Sequence, residues 1–180
     1  MGRRAVIMMG CLVAGLAACT AKPAAQPEVP PASAPETTVP TTSAVPPANP
    51  VPGVEAKCPY LESAYVADAN GQRVGKVRVS ADKPHPACFF YRSDGKIQLS
   101  VQVYVGDAGS AKALVDKVAP VSTADPATLA DGWAGGSQST STGAVFAVAK
   151  EKSAVVITTN QKQTIKAKRV AEQTIAALAL

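Results

Sequence analysis

The residues of this chain with reactive or recognition chemistry are few enough to weigh one by one: four cysteines, one histidine, one tryptophan and thirteen acids. A nucleophilic mechanism needs a Ser, Thr or Cys beside a base that a third group orients. The single imidazole, His85, stands between Pro84 and Pro86, in what reads as an extended loop with no motif partner. No Gly-x-Ser-x-Gly elbow occurs. Asp107, Asp116, Asp125 and Asp131 fall near turns and helix ends, where Asp is favoured for bonding to the local backbone. Gly135-Gly136 lacks the following lysine and helix of a phosphate loop, and no clustered Cys/His spacing of a zinc site is present. No catalytic residue, metal or cofactor is therefore assigned, and the expectation is a protein that is not an enzyme.

The thiols carry more information. Leu16-Ala17-Ala18 runs into Cys19 behind Arg3, Arg4 and an apolar stretch over residues 5–18. These are the charged, apolar and small-residue parts of a secretory signal. The apolar stretch is short of the roughly 20 residues that span a hydrocarbon core. The pattern is similar to the processing site of bacterial lipoproteins, which implies removal of residues 1–18 and a diacylglyceryl group on the Cys19 sulfur. Two or three acyl chains anchor where one is marginal, since each buried methylene contributes about 0.8 kcal/mol. The expected location is the outer face of the cell membrane, with the membrane itself as a partner through Cys19. Cys11 leaves with the signal.

Export leaves Cys58 and Cys88 in a compartment where disulfides persist, so they are expected to pair. The bridge closes a loop of roughly 31 residues, worth about 3.7 kcal/mol by loop-closure entropy. The formal net charge of +5 falls once Arg3 and Arg4 are removed. The remaining excess lies toward the C-terminus in Lys150, Lys152, Lys162, Lys166, Lys168 and Arg169, which reads as a solvated helix face. An exported protein rarely meets nucleic acid, so none is expected; an acidic partner would be an anionic envelope polymer or headgroup. The sequence sets no oligomeric state.

Trp133, in Gly132-Trp133-Ala134-Gly135-Gly136, is the candidate for ligand or partner contact, with Gly135 and Gly136 beside it. Glycines admit unusual backbone angles and close approach, and a lone aromatic can stack on a sugar or anchor a partner. The same tryptophan, among so few aromatics, could instead fill the core of a small domain.

The elements that must position these residues are legible from periodicity. Residues 19–57 are dominated by Pro, Ala, Thr, Ser and Val and cannot bury enough surface to offset ordering. They read as a disordered stalk of polyproline character, at about 3.1 Å per residue. Residues 58–180 are the size of one domain. A helix is expected over residues 59–69, with Gly71 as its stop. Strands follow at 74–80, 87–92 and 96–105, the last two joined by the hairpin signal Asp94-Gly95. In the strand at 96–105, Ile97, Leu99, Val101, Val103 and Val105 face the core, and Gln98, Ser100, Gln102 and Tyr104 face water. Ser110 caps a helix to residue 119, and 121–142 reads as a long loop. Strands at 144–149 and 154–159 form a second hairpin, and a helix over 163–178 places Ala167, Val170, Ala171, Thr174 and Leu178 on one side. This order predicts an α+β two-layer sandwich: a mainly antiparallel sheet of about five strands, with the C-terminal helix across it.

Five blocks, Cys58-Pro59-Tyr60-Leu61, Ala69-Asn70-Gly71-Gln72-Arg73-Val74, Ala87-Cys88-Phe89-Phe90-Tyr91-Arg92-Ser93-Asp94-Gly95, Gly132-Trp133-Ala134-Gly135-Gly136 and Thr158-Thr159-Asn160-Gln161, together resemble an actinobacterial lipoprotein family known only as a domain of unknown function, number twenty-twenty of that series. The resemblance covers nearly all of residues 58–169. It implies an envelope lipoprotein of mycolic-acid-bearing bacteria or their relatives, with a fold similar to the small α/β sandwiches of other such lipoproteins, and it brings no catalytic residues. The expected function is a non-enzymatic binding or protein-interaction module displayed on a stalk, contacting an envelope protein, glycan or small ligand. A carrier of lipid or another small hydrophobic ligand, and a cell-wall hydrolase, are the alternatives.

Overall fold

A computed structural model describes residues 44–180; the expected signal segment, the lipidated Cys19 and the stalk up to residue 43 lie outside the described residues. In chain order the elements are strand β1 (Val54–Glu55), helix α1 (Ser63–Asn70), strands β2 (Lys76–Val79), β3 (Cys88–Tyr91) and β4 (Ile97–Val105), helix α2 (Ala108–Val118), strand β5 (Asp125–Thr128), a 3-10 turn (Ala130–Gly132), strands β6 (Ala134–Ser139), β7 (Ala144–Lys150) and β8 (Ser153–Thr159), and helix α3 (Thr164–Leu178). The strands form one eight-stranded sheet in the order β1-β2-β3-β4-β8-β7-β6-β5. Every neighbouring pair is antiparallel. The fold is α+β, with the C-terminal helix packed on β7 and β8.

Side chains alternate across a strand, so a run that is apolar at every position must be covered on both sides. Residues 144–149 and 154–157 are such runs. Phe146, Val148, Val155 and Ile157 pack with Val66 and Ala69 of α1 and Ala167, Val170 and Ala171 of α3. Ala147, Ala154 and Val156 pack with Ala111, Leu114 and Val115 of α2. The expected two-layer sandwich is therefore corrected to three layers, α2 on one face and α1 with α3 on the other. In β4, Leu99, Val101 and Val103 are buried as expected, whereas Ile97 and Val105 at the strand ends are exposed.

The strand count is corrected from about five to eight. Two of the added strands, β5 and β6, lie in the expected loop at 121–142. The sequence Ala-Gly-Gly-Ser-Gln-Ser of β6 has no β-branched or alternating apolar pattern to mark it, and is held in the sheet by pairing with β7. The third is β1, within the stretch assigned to the stalk: Val54 and Glu55 pair with Val79 and Arg78. The order of the disordered stalk is thus corrected near its end. Residues 44–53 also run over the α2 side of the sheet. Gln102 Nε2 donates to the Ala48 carbonyl at 3.3 Å, Lys117 Nζ to Asn49 Oδ1 at 2.9 Å, and the Gly53 N–H to the Val79 carbonyl at 3.0 Å. The first residue of α1 is Ser63 rather than a position at 59, with Gly71 closing the helix in the left-handed region at φ 72°. The cap of α2 is Asp107, whose Oδ1 accepts from the Ser110 N–H at 2.8 Å, not Ser110. Among the described residues no helix is long and apolar enough to cross a membrane.

Candidate functional site

Cys58 and Cys88 are joined in a disulfide with a Cα–Cα distance of 5.6 Å. It ties the segment before α1 to β3, and Tyr60 Oη reinforces it by donating to the Pro86 carbonyl at 2.8 Å. Burial pushes the Tyr60 phenol well above its ordinary range. Two of the five sequence blocks therefore meet here for structural reasons.

Two others meet at a buried polar cluster that the sequence pattern did not reveal. Phe90 pairs with Leu99 and Tyr91 with Ile97, so Gln98 has no residue opposite it. That extra residue is a β-bulge, which re-aims a side chain. Gln98, expected to face water, is buried. Its Oε1 accepts from Asn70 Nδ2 at 3.0 Å, and its Nε2 donates to the Arg73 carbonyl at 2.9 Å. Asn70 Oδ1 accepts from Thr159 Oγ1, and Asn160 Nδ2 donates to Gln72 Oε1 at 3.0 Å. Lys166 Nζ closes the cluster on the Asn70 carbonyl at 3.1 Å and on Gln161 Oε1 at 3.3 Å. The hydrogen-bonding groups of Asn70 and Gln98 are satisfied, so the cluster ties α1, β4, β8 and α3 together and leaves no buried polar atom of either side chain seeking a ligand.

Trp133 is buried, with 2 % of its surface exposed; it belongs to the core cluster between the sheet and α3. The exposed-platform reading is thereby corrected. The reason is the local backbone. The Leu129 N–H donates to the Trp133 carbonyl at 3.0 Å, closing a turn in which Asp131 and Gly132 both take the left-handed region, at φ 59° and 84°. That turn folds the indole back against the end of α3. Gly135 and Gly136 do not join it. They line a separate cleft of about 270 Å³ on the α2 side, where a Cβ on Gly135 would meet the Ala147 carbonyl and Val115, and one on Gly136 would meet Ala119 and Ala124. Their role is close packing of α2 on β6. The expected constellation of Trp133, Gly135 and Gly136 is thus divided between two faces of the sheet.

A cleft does remain beside Trp133. It measures about 400 Å³ and is lined by Leu129, Ala130 and Trp133 of the hairpin tip and by Ile175, Ala176 and Leu180 of the C-terminal segment; the exposed carboxylates of Asp131 and Glu172 complete it. The indole Nε1 is buried without an acceptor, one of two such side-chain atoms among the described residues, the other being Arg92 Nε. An orphaned buried N–H costs about 1–3 kcal/mol. The Lys150 ammonium stands 5.8 Å from the centroid of the indole, within cation–π range. His85 lines another cleft, of about 230 Å³, with Asp82, Lys83, Tyr104 and the Pro47-Ala48 stretch.

A family model described as a domain of unknown function, DUF2020, matches residues 40–180. The match begins ahead of the segment that crosses the sheet, in keeping with the structured residues before Cys58. No curated protein matches the chain.

Proposed function

The chain belongs to the DUF2020 family of domains of unknown function, and from that premise we propose that it is a non-enzymatic binding module, held at the outer face of the cell membrane through lipid on Cys19, that receives its ligand in the cleft beside Trp133. The observation that carries this reading is the mostly apolar cleft beside Trp133, a residue whose indole Nε1–H is buried without an acceptor among the described residues. Apolar walls with a few polar groups, here the carboxylates of Asp131 and Glu172, are the usual make-up of a small-molecule site.

An enclosed carrier is less well supported. It would need an internal cavity, whereas the apolar clusters on both faces are packed helix against sheet and the cleft opens at the surface. A wall hydrolase finds no arrangement to rest on, since no hydrogen bond links His85 to a hydroxyl or carboxylate among the described residues. Because Trp133 is the single tryptophan, its indole N–H gives one NMR signal. Adding a detergent-free envelope extract to ¹⁵N-labelled protein should shift that signal, and Ala176→Phe, which fills the cleft from an exposed helix position, should suppress the shift. An unmoved indole signal at saturating extract would refute the proposal.

A further inference from the structure

On the face of the sheet opposite Trp133, we propose that the groove between α2 and strands β2 to β4 is a receptor for a proline-rich extended segment. Residues 45–52 fill it here, and its second ligand is Val29-Pro30-Pro31-Ala32 of the same chain. In the docked stretch Pro46, Pro47, Pro50 and Pro52 are half-buried, while Val45 and Val51 are exposed at 75 % and 74 %. Apolarity alone would bury the valines, so the groove selects the proline ring. Helix α2 packs on β6, β7 and β8, which leaves the other half of that face to this stretch. Tyr104 and Ala87 line a cleft with Pro47 and Ala48. Phe89, clustered with Ala87 on the same face, pairs with Arg78, the residue that anchors Gly53. An aromatic-lined groove is the general receptor of a polyproline segment. The polar contacts agree, since the body supplies the donors: Gln102 Nε2 to the Ala48 carbonyl at 3.3 Å, Lys117 Nζ to Asn49 Oδ1 at 2.9 Å and Arg78 Nε to the Gly53 carbonyl at 2.8 Å. Polyproline leaves its carbonyls unpaired and proline has no N–H, so its receptor must donate. Val29-Pro30-Pro31-Ala32 repeats Val45-Pro46-Pro47-Ala48 residue for residue. Ser33 follows where Asn49 stands, and its hydroxyl can accept from Lys117; the likeness stops at Ala34, in the place of Pro50. With the upstream motif docked, residues 33–52 rather than 49–52 would lead to Gly53, and closure cost grows only with the logarithm of loop length. The contacts of Asn49 make the downstream motif the major occupant. Exchange shortens the free chain between Cys19 and the docked motif by sixteen residues, on the order of 50 Å of polyproline at about 3.1 Å per residue.

The test follows the side-chain amide of Gln102 by NMR in the labelled full chain, where its nuclear Overhauser contacts should be to Ala48. Pro46→Ser with Pro47→Ser should move those contacts to Ala32 and raise the fraction docked there at least tenfold. Adding Pro30→Ser and Pro31→Ser should abolish them, with the signals of β7 and β8 unchanged. Contacts that stay with Ala48 in the first variant, or a Gln102 amide released to solvent without contact to Ala32, would overturn the proposal. Ala32 contacts that weaken on tenfold dilution would overturn docking within one chain and assign the groove to the motif of a second copy. Should the first variant not fold, exchange-saturation measurements on the native chain decide: a minor state of the Gln102 amide that Pro30→Ser with Pro31→Ser removes supports the proposal, and the absence of such a state overturns it.

Discussion

Asn70 holds three elements at one point. Its side chain bonds Gln98 of β4 and Thr159 of β8, and its carbonyl receives Lys166 of α3. Asn70→Ala would strand Gln98 Oε1 and leave the Thr159 hydroxyl proton without an acceptor, although Thr159 Oγ1 still accepts from the Gln161 N–H. At about 1–3 kcal/mol for each buried group left unsatisfied, urea denaturation should show a loss of several kcal/mol, with Asn70→Asp at least as damaging because it buries a charge. Tyr60 offers a pH-dependent readout. Burial raises its folded pKa above the ordinary value of 10.0, so the stability it contributes is present below pH 10 and is lost as pH rises beyond that. Phenolate absorbance of Tyr60, isolated by difference against Tyr60→Phe, should therefore appear together with loss of tertiary structure in alkaline titration, not before it. At the Asp94-Gly95 turn the sign is the opposite. The Lys96 backbone N–H, with Arg92 and Lys96 as nearby charges, holds the Asp94 carboxyl below its ordinary value of 3.8. The Lys96 amide signal should then titrate with a midpoint below 3.8, and the bond should be fully present above it.

Between elements, the contact of α2 with β6 depends on what the glycines lack. A Cβ on Gly135 would meet a backbone carbonyl and Val115, whereas one on Gly136 would meet only Cβ atoms of Ala119 and Ala124 at 3.0–3.1 Å and the Ala119 carbonyl. Overpacking of this kind costs about 1–3 kcal/mol, so Gly135→Ala should lower the melting temperature more than Gly136→Ala. The same strand explains the limits of reading this chain from sequence. Strand β4 and the C-terminal helix announce themselves, because their apolar positions recur at periods of 2 and 3.6. Strand β6 has no such signal, since its place is set by the ladder to β7 and not by its own side chains. Gln98 escaped for a related reason: strict alternation puts it in water, and only the pairing of Tyr91 with Ile97 displaces it inward. Of the candidate site, the disulfide was legible from compartment and cysteine count. The fate of Trp133 was not, because a glycine-rich turn can aim an indole outward or back into the core, and the choice lies in the left-handed conformations that Asp131 and Gly132 take in the turn, together with the contacts with α3.

At the scale of the whole domain, the described residues form a sheet covered on both faces and bounded at its β1 side by a short strand and at its β5 side by a strand carrying Pro126, which cannot donate to a ladder. Its disulfide spans a sequence separation of 30, so reduction should remove about 3–4 kcal/mol of chain-entropy stabilisation. The check is the unfolding free energy from urea titration with and without reductant, where a loss below about a third of that figure would assign the bridge a minor role. Residues 44–53 add a mechanical property to this body. They cross the sheet on a few side-chain hydrogen bonds and reach a ladder only at Gly53 and β1. A pull applied at residue 44 would break those contacts one at a time, releasing up to roughly 35 Å of extended chain before force reaches the strands. Under a load applied ahead of residue 44, as the proposed anchor at Cys19 would apply it, the segment would yield while the domain behind it stays folded.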